Sequence, residues 1–186
     1  MPYHIYTTPG FIVRSKPYGE SGKFFLVFTR ELGMVGATAQ GIRLSKSKLR
    51  YHVSDFSYNL FSFVRGKEMW RMTGVNDIDQ EKIKDHQNKK TFINILLLLA
   101  RLLSGEEKNE ILFNIVERFY IELCSRNRDT EIMEYITVFR ILDCLGYIKE
   151  KRFAIEGYSD EIIEEVKNNK KVILEEINDA LRESQL

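Results

Sequence analysis

The spacing of the hydrophobic residues changes once along the chain, near Asn76, and this change limits the folds that the chain can adopt. Between Phe11 and Val75, short runs of β-branched and aromatic residues alternate with polar ones and are separated by residues typical of turns. After Asn76 the hydrophobic residues recur three or four positions apart, as on one face of a helix. The sequence therefore predicts an α+β protein, with a β-sheet domain followed by an α-helical domain.

The first part of the chain contains five segments with the composition of β-strands, and a longer connection separates the third from the fourth. The segments are Phe11–Arg14, Lys23–Arg30, Met34–Gln40, Phe56–Val64 and Met69–Val75. An open sheet of this size would leave unpaired edges, which closure into a barrel removes. We therefore expect a five-stranded OB-fold barrel in residues 1–78 and a helical domain in residues 79–186. Phe24 and Phe28 are assigned to the core of the barrel.

The longer connection, Ala39–Arg50, carries four cationic side chains and no acidic one. Such a segment must lie on the surface, where it is either a solvated loop or a contact for a polyanion. The charge distribution favours the polyanion: residues 1–80 carry a formal charge of +5 and the remainder −4, although the whole chain carries only +1.

A small barrel that presents cations beside aromatic rings has the layout that single-stranded nucleic acid requires. The predicted cationic site comprises Arg14, Lys16, Lys23, Arg43, Lys46, Lys48, Arg50, Arg65 and Lys67; Arg71 adds a further charge. The aromatic side chains available for stacking are Tyr18, Tyr51, Tyr58, Phe61, Phe63 and Trp70. A barrel this small needs most of these rings as core, so we expect one or two at the surface.

The second part of the chain predicts several helices. Residues 77–90 are polar and indicate a linker or a frayed helical turn, and Thr91 is the expected cap of a helix that ends near Ser104. Further helices are expected over Glu110–Cys124 and Thr130–Leu145, with Gly146 following the latter, and from Ser159 to the end of the chain. The stretch from Lys149 to Tyr158 is expected to be irregular.

No residue pattern in the sequence predicts catalysis, a cofactor or a metal site. The two cysteines, Cys124 and Cys144, lie 20 positions apart within helical patterns, which favours a reducing cytosol over a disulfide or zinc site. The three histidines are scattered, and no phosphate-binding glycine loop is present. The most apolar run, Phe92–Leu103, is too short to span a bilayer. We expect a cytoplasmic protein that is not an enzyme.

The run FIVRSKPYGESGKFFLVFTRELGMVGATAQGIRLSKSKLR resembles the start of the RecO family of bacterial recombination mediators. The family's motifs correspond to Gly10–Arg14, Pro17–Glu20, Leu26–Val35 and Ala39–Leu49, with Gln40 at a position that is usually Lys. Asp55-Phe56 and Leu145-Gly146-Tyr147 match two later motifs more loosely. Many members have a four-cysteine zinc motif after the last of these, but residues 149–157 contain no cysteine.

This resemblance implies an OB-fold followed by a helical domain, without a cofactor. It implies a nucleoid-associated protein of DNA repair and recombination, in the RecF pathway, that binds single- and double-stranded DNA and anneals complementary strands. The implied partners are RecR and the acidic C-terminal tail of single-stranded DNA-binding protein (SSB), so that RecA can load. Candidate residues for that tail are Arg101, Arg118 and Arg140. An RNA-binding OB module and a helical protein–protein adaptor remain alternatives.

Overall fold

The structure of the chain is a computed structural model that describes residues 4–78, 81–125, 129–149 and 157–184. The chain divides into two compact units, each built from two separate stretches. The first unit contains Met1–Gln80 and Leu103–Glu110, and the second contains Glu81–Leu102 and Ile111–Leu186. The assignment of residues 1–78 to nucleic-acid binding and of 79–186 to partner binding stays a prediction.

Five strands of the first unit form a closed barrel in the order β1-β2-β3-β5-β4. They are β1 (Ile5–Tyr18), β2 (Gly22–Thr29), β3 (Gly33–Ala39), β4 (Tyr58–Arg65) and β5 (Trp70–Asp77). All neighbours are antiparallel except β3 and β5, which run parallel where Ala37 faces Trp70. This strand order confirms the predicted OB-fold.

Strand β1 closes the barrel because it is long enough to pair twice. Residues 5–11 pair with β4, and residues 10–18 pair with β2. The register with β2 shifts between Ile12 and Arg14, so the intervening Val13 forms a bulge. A bulge bends a strand and increases its twist, which allows one strand to serve both neighbours.

The barrel interior is filled by one apolar cluster from all five strands. Phe25 and Val27 of β2 belong to it, together with Phe61 and Phe63 of β4. Ile42 from the β3–β4 connector also lies in the cluster, and Leu49 and Val53 of the same connector pack partly against it. The connector is therefore attached to the barrel by its apolar residues, which leaves its charged residues outside.

The segment 103–110 belongs to the barrel unit although it is distant in sequence. Strand β5 pairs with β3 only at Ala37 and Thr38. At the start of β3, the backbone N–H of Met34 donates instead to the carbonyl oxygen of Gly105, at 3.3 Å. Lys108 Nζ lies 2.7 Å from Glu31 Oε2 in the same region. The segment thus supports a part of β3 that β5 does not reach.

The second unit contains most of five helices, and their bounds correct two sequence predictions. The helices are α1 (His86–Leu102), α2 (Glu110–Ser125), α3 (Thr130–Cys144), α4 (Asp160–Asn168) and α5 (Lys170–Glu183). Thr91 does not cap α1; it is buried within the helix, and Asp85 Oδ2 accepts from the backbone N–H of Asn88 near the helix start. The single helix predicted for the tail is two helices, which meet at Asn169.

Two of the predicted helix ends are confirmed. Gly146 follows α3 with a φ of 82°, a conformation that favours glycine. The Ser159 side chain accepts a hydrogen bond from the backbone N–H of Ile162 at the start of α4. The irregular stretch predicted between Lys149 and Tyr158 lies mostly outside the described residues.

Candidate nucleic-acid interface

The outer face of the barrel carries a row of four residues across four neighbouring strands. Lys16 faces Phe24, Phe24 faces Thr38, and Thr38 faces Arg71. A neighbouring row runs from Arg14 to Leu26 to Gly36. Because the alternate residues of β2, Phe25 and Val27, fill the interior, these rows lie on the outside. The face therefore presents three cations beside an aromatic ring.

Phe24 is not a core residue, so its sequence-based assignment was wrong. It is only partly buried, whereas Phe28, assigned with it, is 1% exposed; neither ring belongs to the interior cluster. The Lys16 ammonium lies 5.4 Å from the centroid of the Phe24 ring. A Cβ atom at Gly36 would come within 3.0 Å of Cε2 and Cζ of that ring, so the glycine leaves room for it. Phe24 is thus an aromatic residue of the cationic face that the sequence reading missed.

The other aromatic candidates separate clearly into core and surface. Tyr58, Phe61, Phe63 and Trp70 are buried, whereas Tyr18 is 49% exposed and Tyr51 77% exposed. Two exposed rings among six confirm the expectation that most of these side chains form core. Tyr18 ends β1, and Tyr51 lies in the connector beside Arg50, whose guanidinium carbon is 5.9 Å from the ring centroid.

The basic connector between β3 and β4 is held by its backbone. Gly41 adopts a φ of 67°, and its carbonyl oxygen accepts from the N–H of Leu44 at 3.1 Å. The backbone N–H of Arg43 donates to Ser21 in the β1–β2 turn at 2.9 Å, and Arg43 Nη1 donates to the Glu20 carbonyl oxygen at 3.3 Å. The four predicted cations of the connector are all exposed: Arg43, Lys46, Lys48 and Arg50.

Three of the predicted cations line one pocket of about 270 Å³. Lys23 comes from the start of β2, Arg43 from the connector, and Arg50 from a short 3-10 turn at Leu49–Tyr51. Ile42 and Val53 supply the apolar part of the lining. The pocket brings together Lys23 and Arg50, which lie 27 residues apart in sequence, and none of the described residues that line it is acidic.

Arg65 and Lys67, also predicted as DNA contacts, lie at the hairpin between β4 and β5. Arg65 Nη1 donates to Glu106 Oε2, and the Arg65 guanidinium carbon lies 4.8 Å from the centroid of the Trp70 ring. Lys67 is exposed in the turn. The charge of Arg65 is thus already paired within the barrel unit, whereas Lys23, Arg43 and Arg50 form no ion pair with a described residue.

The three arginines proposed for an acidic tail have different environments in the helical unit. Arg101, in the last turn of α1, and Arg118, on α2, are exposed. Arg140 on α3 is only 3% exposed, and its Nη2 donates to the Gly157 carbonyl oxygen at 2.7 Å. Burial lowers the pKa of the Arg140 guanidinium, and the charge of Arg118 adds to this effect. A tail could reach Arg140 only if its side chain left this network.

The described parts of the chain contain neither a metal-site cluster nor a membrane-spanning helix. Within residues 4–78, 81–125, 129–149 and 157–184, no group of three or more acidic, histidine or cysteine side chains has an arrangement suited to a metal ion. In the same ranges, every helix is too short or too polar to cross a bilayer.

The strand order and the cationic outer face define an OB-fold protein that also contains a helical unit. Residues 1–80 match the family model described as Recombination protein O N terminal. This N-terminal region is therefore similar to that of the RecO family.

Several curated relatives extend this similarity into the helical unit. The chain is 28% identical over 142 residues to the DNA repair protein RecO of Alkaliphilus metalliredigens, which covers 69% of this chain and 56% of that protein. It is 26% identical over 146 residues to the protein of the same name from Clostridium novyi, covering 77% and 57%. It is 28% identical over 151 residues to the protein of the same name from Dehalococcoides mccartyi, which covers 80% of this chain and 59% of that protein. The chain thus spans little more than half the length of these relatives.

Proposed function

We propose that this chain is a non-enzymatic DNA-binding protein of recombinational repair that holds single-stranded DNA on the outer face of its barrel. The observation that carries the proposal is the row of Lys16, Phe24 and Arg71 across that face, next to the cationic connector. A positively charged groove that tracks phosphates, together with rings that stack on bases, is how OB-folds bind single strands. The name of the relatives, DNA repair protein RecO, supports DNA as the ligand.

In this proposal the charges and the rings have different tasks. Exposed lysines and arginines displace condensed counterions from the phosphates, which contributes affinity without sequence preference. Phe24 and Tyr18 stack on bases, which every base permits because each has a π-face. The contacts between cations and phosphates also allow double-stranded DNA to bind. Two strands held through their phosphates keep base edges available for pairing, as the annealing of complementary strands requires.

We further propose that the helical unit receives the partners that the family resemblance implies. These are RecR and the acidic C-terminal tail of SSB, with loading of RecA as the outcome. Arg101 and Arg118 are the exposed cations of the predicted tail site. A peptide with an acidic, Phe-terminated end, titrated against Arg101→Ala and Arg118→Ala variants, tests this assignment. Unchanged affinity in both variants would refute it.

The decisive experiment for DNA binding measures the affinity of a labelled single-stranded oligonucleotide as a function of salt. Replacing Arg43, Lys46, Lys48 and Arg50 by Ala should lower affinity and flatten the log–log salt dependence by about 0.7 per lost phosphate contact. The matched control removes four exposed lysines of the helical unit: Lys82, Lys84, Lys89 and Lys90. Both variants lose the same charge, so equal effects would show that the barrel face is not the site.

The same assay separates DNA from RNA as the ligand. A competition between DNA and RNA strands of equal sequence should favour DNA or show no preference, because contacts with phosphates and base faces do not require 2′-hydroxyl groups. A clear preference for RNA would indicate 2′-hydroxyl contacts and support an RNA-binding OB module instead. Strong peptide binding with little affinity for either nucleic acid would support the protein–protein adaptor.

A further inference from the structure

We propose that the pocket formed by Lys23, Arg43 and Arg50 binds a phosphate monoester, and specifically the terminal 5′-phosphate of a DNA strand. This inference rests on the proposed DNA-binding function and adds recognition of a strand end to it. The pocket differs from the rest of the cationic surface because its three charges converge on one concave site, one from β2 and two from separate parts of the β3–β4 connector.

The backbone at each of the three cations is held in place independently of a ligand. Lys23 lies on β2, where it pairs with Pro17 of β1 on one side and with Ala39 of β3 on the other. Arg43 is held through its backbone and its Nη1 by the β1–β2 turn. Arg50 lies in the 3-10 turn, beside Leu49, which packs against the barrel core. The three side chains thus converge with little freedom in their backbones, which lowers the entropic cost of binding.

The charge of the pocket is uncompensated within the described part of the chain. The other two lining residues, Ile42 and Val53, are apolar, and no ion pair between described residues involves Lys23, Arg43 or Arg50. Three like charges around one concavity repel one another, and the apolar lining reduces the screening of that repulsion. An anion in the pocket would turn this unfavourable interaction into an attraction.

The shape and the charge both favour a terminal phosphate over an internal one. A monoester carries about −1.5 to −2 charges at neutral pH and presents three oxygens, which suits three cationic donors. An internal phosphodiester carries one charge and is flanked by sugars on both sides, so it offers fewer free oxygens to the three cations. The volume of about 270 Å³ lies below the range of roughly 300–1,000 Å³ typical of whole-ligand sites. It therefore suits a head group at the end of a chain.

The test compares single-stranded oligonucleotides of one sequence with a 5′-phosphate, a 5′-hydroxyl or a 3′-phosphate. We expect the 5′-phosphorylated strand to bind about tenfold more tightly than the 5′-hydroxyl strand, which corresponds to about one charge-assisted hydrogen bond. Lys23→Gln and Arg50→Gln should abolish this preference. Lys46→Gln removes an exposed connector charge that does not line the pocket. This variant should bind all three oligonucleotides more weakly and keep the preference for the 5′-phosphate.

The outcomes distinguish this inference from the proposed function. Equal, salt-dependent binding of the 5′-phosphate and 5′-hydroxyl strands would overturn the pocket assignment and leave DNA binding intact. A preference for the 3′-phosphate would overturn the choice of strand end. If no strand binds, the proposed function fails, and a nucleoside 5′-monophosphate then tests the pocket alone. A shift of the arginine Nε–H NMR signals with the monophosphate but not with the nucleoside would support a free nucleotide as the ligand and overturn the strand-end assignment.

Discussion

The ammonium of Lys16 lies 5.4 Å from the centroid of the Phe24 ring, on the outer face of the barrel. A cation over an aromatic face is attracted by the electrons of the ring, typically by about 0.5–1 kcal/mol at an exposed site. A base that stacks on the ring would displace this ammonium toward a phosphate. The pair is therefore suited to exchange an internal contact for two contacts with DNA.

From this relationship we predict that Phe24→Ala lowers the affinity for single-stranded DNA by about 1–3 kcal/mol, the usual loss for one stacked base. Fluorescence anisotropy with a labelled oligonucleotide measures the effect. Phe28→Ala is the control: this ring is 1% exposed, so its loss should destabilise the fold by about 3–5 kcal/mol. A Phe24→Ala variant with full DNA affinity would remove the ring from the proposed interface.

A second prediction concerns the ion pair between Arg65 and Glu106. Glu106→Gln should free the Arg65 charge, raise the affinity for DNA and steepen the salt dependence by up to about one counterion. The fold should lose little stability, because exposed ion pairs contribute about 0–1 kcal/mol. Glu107→Gln changes the net charge equally and has no ion pair with a described residue, so it controls for general electrostatics. Equal gains in both variants would mean that Arg65 does not reach DNA.

A third prediction tests how closely the segment 103–110 packs on the barrel. Gly33 has a φ of 69°, and a Cβ atom there would lie 2.3 Å from the carbonyl oxygen of Glu107. Gly19 has a similar φ of 60° with nothing within 4 Å of its Cβ position. Gly33→Ala and Gly19→Ala therefore share the cost of the left-handed backbone, roughly 1–2 kcal/mol. Only Gly33→Ala adds a collision with backbone atoms, so its free energy of unfolding should fall further than that of Gly19→Ala. Equal losses, measured by urea denaturation, would contradict the packing.

A fourth prediction follows from the buried Tyr158. Its hydroxyl lies 2.7 Å from Thr137 Oγ1, and burial raises the pKa of Tyr158 to about 12. The unfolded tyrosine titrates near 10, so the folded state holds the proton more tightly. The resulting stability is complete below about pH 10 and is lost as the pH rises toward 12. Burial also raises the pKa of Tyr120, which adds to the same slope.

The measurement is the free energy of unfolding, followed by circular dichroism in urea between pH 8 and pH 11.5. Tyr158→Phe should be less stable at pH 8, because Thr137 Oγ1 keeps its hydrogen bond to the Met133 carbonyl oxygen but loses the one with Tyr158. The variant should also show a shallower decline above pH 10. Tyr51→Phe serves as the control because Tyr51 is 77% exposed. If the Tyr158→Phe and wild-type slopes coincided, Tyr158 would not be the group that titrates.

Local pattern was sufficient to predict the barrel and most of the helices, because five short strand-like runs leave few closed arrangements. It could not place Phe24, since both alternate sets of residues in β2 are largely apolar and only closure of the barrel decides which set lies inside. Burial of Arg140 likewise depends on Gly157 and Tyr158, which are distant in sequence. The connector charges were predictable, but their convergence with Lys23 depends on the pairing of β2 with β3.

Because the segment 103–110 is synthesised after the five strands, the barrel is incomplete for part of the time that the chain is being made. During synthesis the five strands leave the ribosome first, and the stretch that supports the start of β3 follows only after α1. Until then, Met34 lacks its acceptor at Gly105 and that part of the β3 edge is open to other chains. A nascent chain or a truncated gene product that ends before residue 110 should therefore self-associate more readily than one that extends beyond it.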